Sequence, residues 1–159
     1  MALVVRRETR PARLREIIRR IQVEPALTPR SFENLRKSRV TCAYDDGTLV
    51  GWLIAEPLRT GVYELGAAYV QPSYRNNGIL GRLLDATMES AELYVAAIFN
   101  LDLLEYVVKK RQFRTSSLLE LIRVSRGRFV TKRFGQGYRV ARHVAAGRPH
   151  FVIRETHHG

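Results

Sequence analysis

Apolar positions recur along this chain with two periods, and the period changes several times. Leu14, Ile17, Ile18 and Ile21 lie at helical spacing behind Thr9-Arg10-Pro11, and Pro11 sits early in that helix, where its missing N–H costs little. Pro25 and Pro29 break the chain before a shorter helical segment over residues 31–37, with Ser31 as its cap. Residues 40–44 and 48–55 then read as strands. Between them stands Asp45-Asp46-Gly47, and Asp-Gly supplies the positive φ that a tight hairpin turn demands. Val62–Val70 is the next strand, which makes three consecutive antiparallel strands with short connections. Within it Tyr63, Leu65, Ala67 and Tyr69 point one way, and Glu64, Gly66, Ala68 and Val70 the other.

Gln71, Pro72 and Ser73 stop that strand. After the break Leu80, Leu83, Leu84, Met88 and Ala91 return to helical spacing, so residues 75–78 form a loop running into a helix N-terminus. Residues 93–99 are another apolar run, and a helix between two strands makes them parallel neighbours. A further helix spans 101–110, with Leu101, Leu104, Val107 and Val108 as its stripe, and 118–124 reads as a strand. This order is that of an α+β domain built on one mixed sheet.

A length of 159 residues fits one domain with a real core. An apolar fraction of 45% beside a charged fraction of 26% is ordinary for a soluble globular chain, and no apolar run is long enough to cross a bilayer. Cys42 is the single cysteine, so an internal disulfide is excluded. It reads as a buried thiol in a reducing compartment, which implies a cytoplasmic location. His143, His150, His157 and His158 have no ligand spacing with it, and no metal site is expected. Arg13, Arg15, Arg19 and Arg20 cover the polar faces of the first helix. Glu8 and Glu16 argue against a presequence there, and an amphipathic helix lying over a sheet is the better reading.

Charge changes the picture of the C-terminal third. The net charge is +12, yet residues 1–108 hold 14 Lys+Arg against 13 Asp+Glu, whereas residues 109–159 hold 13 against 2. Such a segment attracts nucleic acid, acidic protein or anionic lipid in a salt-dependent way. A solubilising face, or neutralisation of bound phosphates, is the plainer alternative. Over residues 125–159, Arg126, Arg128, Lys132, Arg133, Arg139, Arg142 and Arg148 interleave with Phe129, Phe134, Tyr138 and Phe151, and Gly135-Gln136-Gly137 forms a turn. Two readings stand: a surface for single-stranded nucleic acid, or a closing β-hairpin that buries the aromatics and leaves the arginines in water.

The candidate chemistry lies in residues 64–84, ELGAAYVQPSYRNNGILGRLL. Backbone N–H groups at a helix N-terminus lack intrahelical partners and face the positive end of the macrodipole, so a phosphate docks there if no side chain blocks it. Gly78 removes one such obstacle, although glycines also open helices for steric reasons alone. The order VxPxYRxxGI followed by LL resembles the acetyl-CoA-binding motif of the GNAT N-acetyltransferase superfamily, whose core is Q/R-x-x-G-x-G/A. Arg75, Asn76, Asn77, Gly78 and Ile79 match it. Leu80 stands where the family has Gly or Ala, and Gly81 comes one residue later.

The resemblance covers residues 3–124 and implies the GNAT fold: a mixed, mostly antiparallel central sheet flanked by helices, with residues 3–7 as its first strand. It implies a single domain, with a core over residues 1–124 and a basic C-terminal segment over 125–159 packed on it. It also implies an acetyl-CoA-dependent N-acyltransferase in which an amine attacks the thioester directly in a ternary complex. By position, the pyrophosphate would meet the backbone of Arg75, Asn76, Asn77, Gly78, Ile79, Leu80 and Gly81. The backbone N–H that polarises the thioester would be that of Val70, with Ala68 and Tyr69 along the pantetheine arm and Asn100 at the cofactor. Glu64, six residues before Val70, would be the general base. Partial desolvation there would raise its pKa toward a useful value, and an exposed strand carboxylate is the alternative. The family's general-acid tyrosine would fall at Val108, with Gln112 replacing the usual Gly and Tyr106 on another helical face. A non-catalytic GNAT-fold module binding nucleic acid or an acidic protein through residues 109–159 is the reading from another class. Leu80, Val108 and Gln112 favour it, while Glu64 and the loop favour the enzyme.

Overall fold

The computed structural model describes residues 2–25, 27–89, 92–134 and 148–156. The chain runs β1 (Leu3–Arg7), α1 (Pro11–Val23), α2 (Phe32–Lys37), β2 (Arg39–Asp45), β3 (Thr48–Arg59), β4 (Val62–Val70), α3 (Ile79–Thr87), β5 (Leu93–Ile98), α4 (Leu101–Arg111), β6 (Arg114–Ser116), α5 (Leu118–Val124), α6 (Arg128–Phe134) and β7 (His150–Glu155). The strands form one sheet in the order β1-β2-β3-β4-β5-β7-β6. β4 and β5 are parallel, as a helical crossover between them requires, and β1–β2, β2–β3, β5–β7 and β6–β7 are antiparallel. The fold is therefore α+β, with a mixed, mostly antiparallel sheet flanked by helices. Among the described residues, no helix is long and apolar enough to cross a membrane.

Two compact units divide the chain, one from Met1–Pro57 with Leu65–Glu89, the other from Leu58–Glu64 with Ser90–Gly159. The first is organised around α1. Its stripe buries Leu14, Ile17 and Ile21 in a cluster with Leu35, Trp52 and Ile54, and each such side chain contributes about 1.5–3 kcal/mol of burial free energy. Ser31 caps α2, its side chain accepting from Asn34 N–H. The β2–β3 hairpin turns through Asp46 and Gly47, with φ of 46° and 80°, as the Asp-Gly pair leads one to expect. Cys42 is fully buried, and burial pushes its thiol up to about 12.

β4 departs from simple alternation. Ala67 takes a φ of 48°, and every residue from Gly66 to Val70 is only partly buried. A left-handed residue inside a strand interrupts the pleat and re-aims the side chains beyond it. β3 passes close to the end of β4 at Gly51, where a Cβ would stand 2.9 Å from the Tyr69 carbonyl oxygen. The expected stripe of α3 also shifts. Ile79, Leu83 and Leu84 are buried while Leu80 is half-buried, and the helix stops at Thr87, so Met88 lies beyond it and Ala91 outside the described residues. Thr87 is itself buried, its hydroxyl within 2.7 Å of both Leu83 O and Thr41 Oγ1.

The second unit packs Leu58, Val62, Val95, Leu121, Phe129 and Ile153 together. Here two sequence expectations fail. Residues 118–124 are a helix rather than a strand, because Ser117 caps them by accepting from Glu120 N–H at 3.2 Å, and because only one side of the apolar run is needed inside. Leu121 is buried, while Leu119 is 78% exposed. The closing hairpin over the basic segment is replaced at Arg128–Phe134 by α6. The chain reaches it through Arg126 and Gly127, both at positive φ, and Ser125 Oγ accepts from Phe129 N–H at 3.1 Å. The expected turn at Gly135-Gln136-Gly137, with Tyr138, Arg139 and Arg142, lies outside the described residues. β7 is an inner strand between β5 and β6. In α4 the expected stripe narrows to Val107, and Leu101 is 64% exposed.

Candidate functional site

The loop after β4 is built from short-range bonds. Pro72–Tyr74 form a single 3-10 turn, with Tyr74 N–H donating to Gln71 O and Arg75 N–H to Pro72 O. Tyr74 is tied by its hydroxyl to Asp45 Oδ2 at 3.0 Å, and that bond raises its pKa. Arg75 folds back so that its Nε donates to Val70 O at 3.0 Å. Asn76 and Gly78 take φ of 66° and 71°, the left-handed conformations that Asn and Gly tolerate best.

Gly78 is the N-cap of α3 and offers no side-chain cap. The residues from Arg75 to Gly78 are exposed, whereas Ile79 is buried and anchors the helix start. A Cβ at Gly78 would meet nothing within 4 Å. The start of a nine-residue helix therefore presents uncapped amides beside open space, the arrangement that accepts an anion. Upstream, Tyr69 stacks on Trp52 with ring centroids 4.5 Å apart, so its side chain belongs to the packing of the first unit. Ala68 and Val70 are partly buried.

Glu64 lies in the second unit, on the last rung of the parallel ladder, opposite Val95. It is 6% exposed, so the alternative of an exposed strand carboxylate does not hold. Lys132 of α6 donates from Nζ to Glu64 Oε2 at 3.2 Å. The pair is not legible in the sequence, because 68 positions separate Lys132 from Glu64 and no local pattern links the two. A second pair hidden from sequence sits in the first unit, where Arg30 and Glu56 meet at 2.5 Å with both side chains almost fully buried. Arg30 also lies close to Gly66, where a Cβ would stand 3.1 Å from its guanidinium.

Asn100 caps α4, its Oδ1 accepting from Leu103 N–H at 2.9 Å. Tyr106 accepts from Arg111 Nε at 3.0 Å. Gln112 ends α4 with a φ of 59°, a conformation that suits Gly better.

Comparison with known proteins bears on the family and the fold. The model of the acetyltransferase (GNAT) family matches residues 11–102. N-acetylglutamate synthase from Neisseria gonorrhoeae, complexed with coenzyme A and N-acetyl-glutamate, is similar with a TM-score of 0.64 at 20% identity over 99% of this chain. The match covers 36% of that protein, so this chain spans about a third of its length. The diaminobutyrate acetyltransferase EctA from Paenibacillus lautus, in complex with L-2,4-diaminobutyric acid and coenzyme A, has a TM-score of 0.58 at 16% identity, covering 72% of this chain and 79% of its own. A GNAT-family acetyltransferase from Staphylococcus aureus Mu50 has a TM-score of 0.59 at 15% identity, covering 96% and 98%. A search of curated protein sequences finds no significant match. With the family model spanning more than half of its residues and the strand order and loop described above, this chain belongs to the GNAT acetyltransferase family.

Proposed function

We propose that the chain transfers an acetyl group from acetyl-CoA to an amine by direct attack in a ternary complex. The observation that supports this best is the uncapped start of α3, where Gly78 at φ 71° leaves amides beside exposed, open space. A diphosphate suits that cradle, held by the backbone from Arg75 to Gly81. Acetyl-CoA supplies the activated acyl group as a thioester. Val70 N–H is assigned to its carbonyl, where a fixed donor stabilises charge developing on the oxygen. Ala68 and Tyr69 lie along the arm of the cofactor, and Asn100 takes a place near it.

Glu64 receives the proton that the acceptor's ammonium must lose before its lone pair can attack. Burial keeps water from competing for that carboxylate and strengthens the hydrogen bond it makes to an amine.

A thermal-shift titration with CoA and acetyl-CoA tests the cofactor. At a hundredfold excess over its dissociation constant, a ligand of the folded state adds about 2.7 kcal/mol, and an unmoved transition removes the proposal. Glu64→Gln is expected to lower kcat/KM for thiol release by about 10²–10⁴-fold with CoA affinity retained. Equal rates would take the base role away from Glu64.

A further inference from the structure

α1 carries four arginines, and its one carboxylate, Glu16, serves two of them: Arg13 at 2.7 Å and Arg20 at 2.9 Å. Arg15 and Arg19 are left. Both are exposed, they stand one turn apart, and among the described residues neither meets a carboxylate. Like charges at that spacing destabilise a helix, and an anion between them would offset the repulsion. A groove of about 420 Å³ opens beside them, between α1 and the start of α2, a size typical of small-molecule clefts.

The groove is built for more than bulk charge. The Arg15 guanidinium lies 4.9 Å from the centre of the Phe32 ring, a cation–π contact that fixes it at the rim and lowers the entropy lost on binding. Ile18 and Phe32 give the groove an apolar wall for a hydrocarbon stem. Arg30 forms its inner end with a charge already matched by Glu56, so the uncompensated charge belongs to Arg15 and Arg19. The Arg30 guanidinium also lies against Gly66 of β4. Val70 is four residues further on, on the order of 13 Å along a strand. Groove, Val70 and pyrophosphate loop all belong to the first unit.

We infer that the acceptor is a small amine bearing an acid group, carboxylate or phosphate, which Arg15 and Arg19 hold in this groove. This rests on the reading of Val70 as donor to the thioester. Guanidinium groups match both acid groups through paired N–H donors, and an acid so held leaves the amine at the other end of the stem to reach the acetyl carbon. In the transfer the nitrogen bonds to that carbon and the C–S bond breaks. The two protons shed by the ammonium go to the base and to the departing thiolate, and the acid group stays on the arginines throughout.

The test gives the full chain acetyl-CoA and matched pairs of amines: the ω-amino acids from glycine to aminohexanoate, each beside its carboxamide, and phosphoethanolamine beside ethanolamine. For the pair that fits the groove, kcat/KM for thiol release is expected to be at least tenfold higher with the acid member. Arg15→Gln/Arg19→Gln should abolish that advantage and keep the CoA thermal shift, since both side chains are exposed and Gln sustains a helix. Arg36→Gln/Lys37→Gln, which removes two exposed cations of α2 outside the groove, should leave the advantage intact. Equal rates within every pair overturn the inference. So does an equal loss in both double variants, because net charge rather than the groove would then select the acceptor.

Binding gives a second readout that needs no turnover. With CoA present, the favoured acid should raise the melting temperature further in the wild type and not in Arg15→Gln/Arg19→Gln. No rise in the wild type with any of these acids, or the same rise in the variant, overturns the inference. A CoA shift without preference for acids leaves the proposed function standing and removes this acceptor class; absence of any CoA shift removes both.

Discussion

Glu8 shows how this chain keeps a charge inside. The residue is 4% exposed, and its carboxylate accepts from the Arg10 backbone at 2.9 Å, from the Arg10 guanidinium at 2.6 Å and from the Tyr44 hydroxyl at 2.5 Å. The Arg10 guanidinium, helped by the Tyr44 hydroxyl, outweighs burial and holds the carboxyl down at about 2, below its ordinary value of 4.5. Tyr44 moves the other way, pushed up by burial and then by the bond to Glu8. Because the folded-state value of Glu8 is depressed, its contribution to stability is complete above about pH 4.5 and is lost as the pH falls toward 2. Glu8→Gln should therefore flatten the acid limb of a stability profile measured by urea denaturation between those limits. Glu8→Ala, which strands the buried Tyr44 hydroxyl, should cost about 1–3 kcal/mol at neutral pH.

At the scale of elements, α5 turns on one residue. A seven-residue run rich in Leu, Ile and Val suits a buried strand as well as a short helix. Ser117 decides for the helix by occupying a backbone donor of the first turn, and Glu120 in that turn is held down at about 2 by Arg114, with help from Ser116. The S-x-x-E spacing of Ser117 and Glu120 is a helix-start signal readable in the sequence, and it outranks the apolar run. Ser117→Ala should cost about 1 kcal/mol, read as a lower urea midpoint with an unchanged m-value. A parallel loss of m would mean that more than the cap had gone.

At the scale of the molecule, the C-terminal strand is part of the frame. β7 pairs with β5 from Leu93 to Ile98 on one side and with β6 from Arg114 to Ser116 on the other. It also brings Val152 and Ile153, both fully buried, to the second unit. A chain ending at residue 147 exposes the edge of β5 and removes those two side chains, each worth about 1.5–3 kcal/mol. It is expected to lose cooperative unfolding in that unit, seen as fast amide exchange throughout β5 and β6. Protection retained in β5 would contradict this placement of β7.

Much was decided within a few residues, and those features were legible. Asp46-Gly47 sets the hairpin because only certain residues accept positive φ. Ser31 starts α2 because its oxygen replaces a missing partner, and Gly78 opens α3 because it accepts positive φ. The GNAT motif belongs to this class too, being a run of backbone conformations written in consecutive residues. Other features depend on partners distant in sequence. Gly51 leaves room for the Tyr69 carbonyl of the neighbouring strand, β7 lies between strands that precede it in the chain, and the Glu64 carboxylate meets Lys132 on a late helix. Local backbone preference extends over about one helical turn or one hairpin. Burial and charge pairing depend instead on which elements the sheet brings together, so only the tertiary structure could decide what stands beside Glu64.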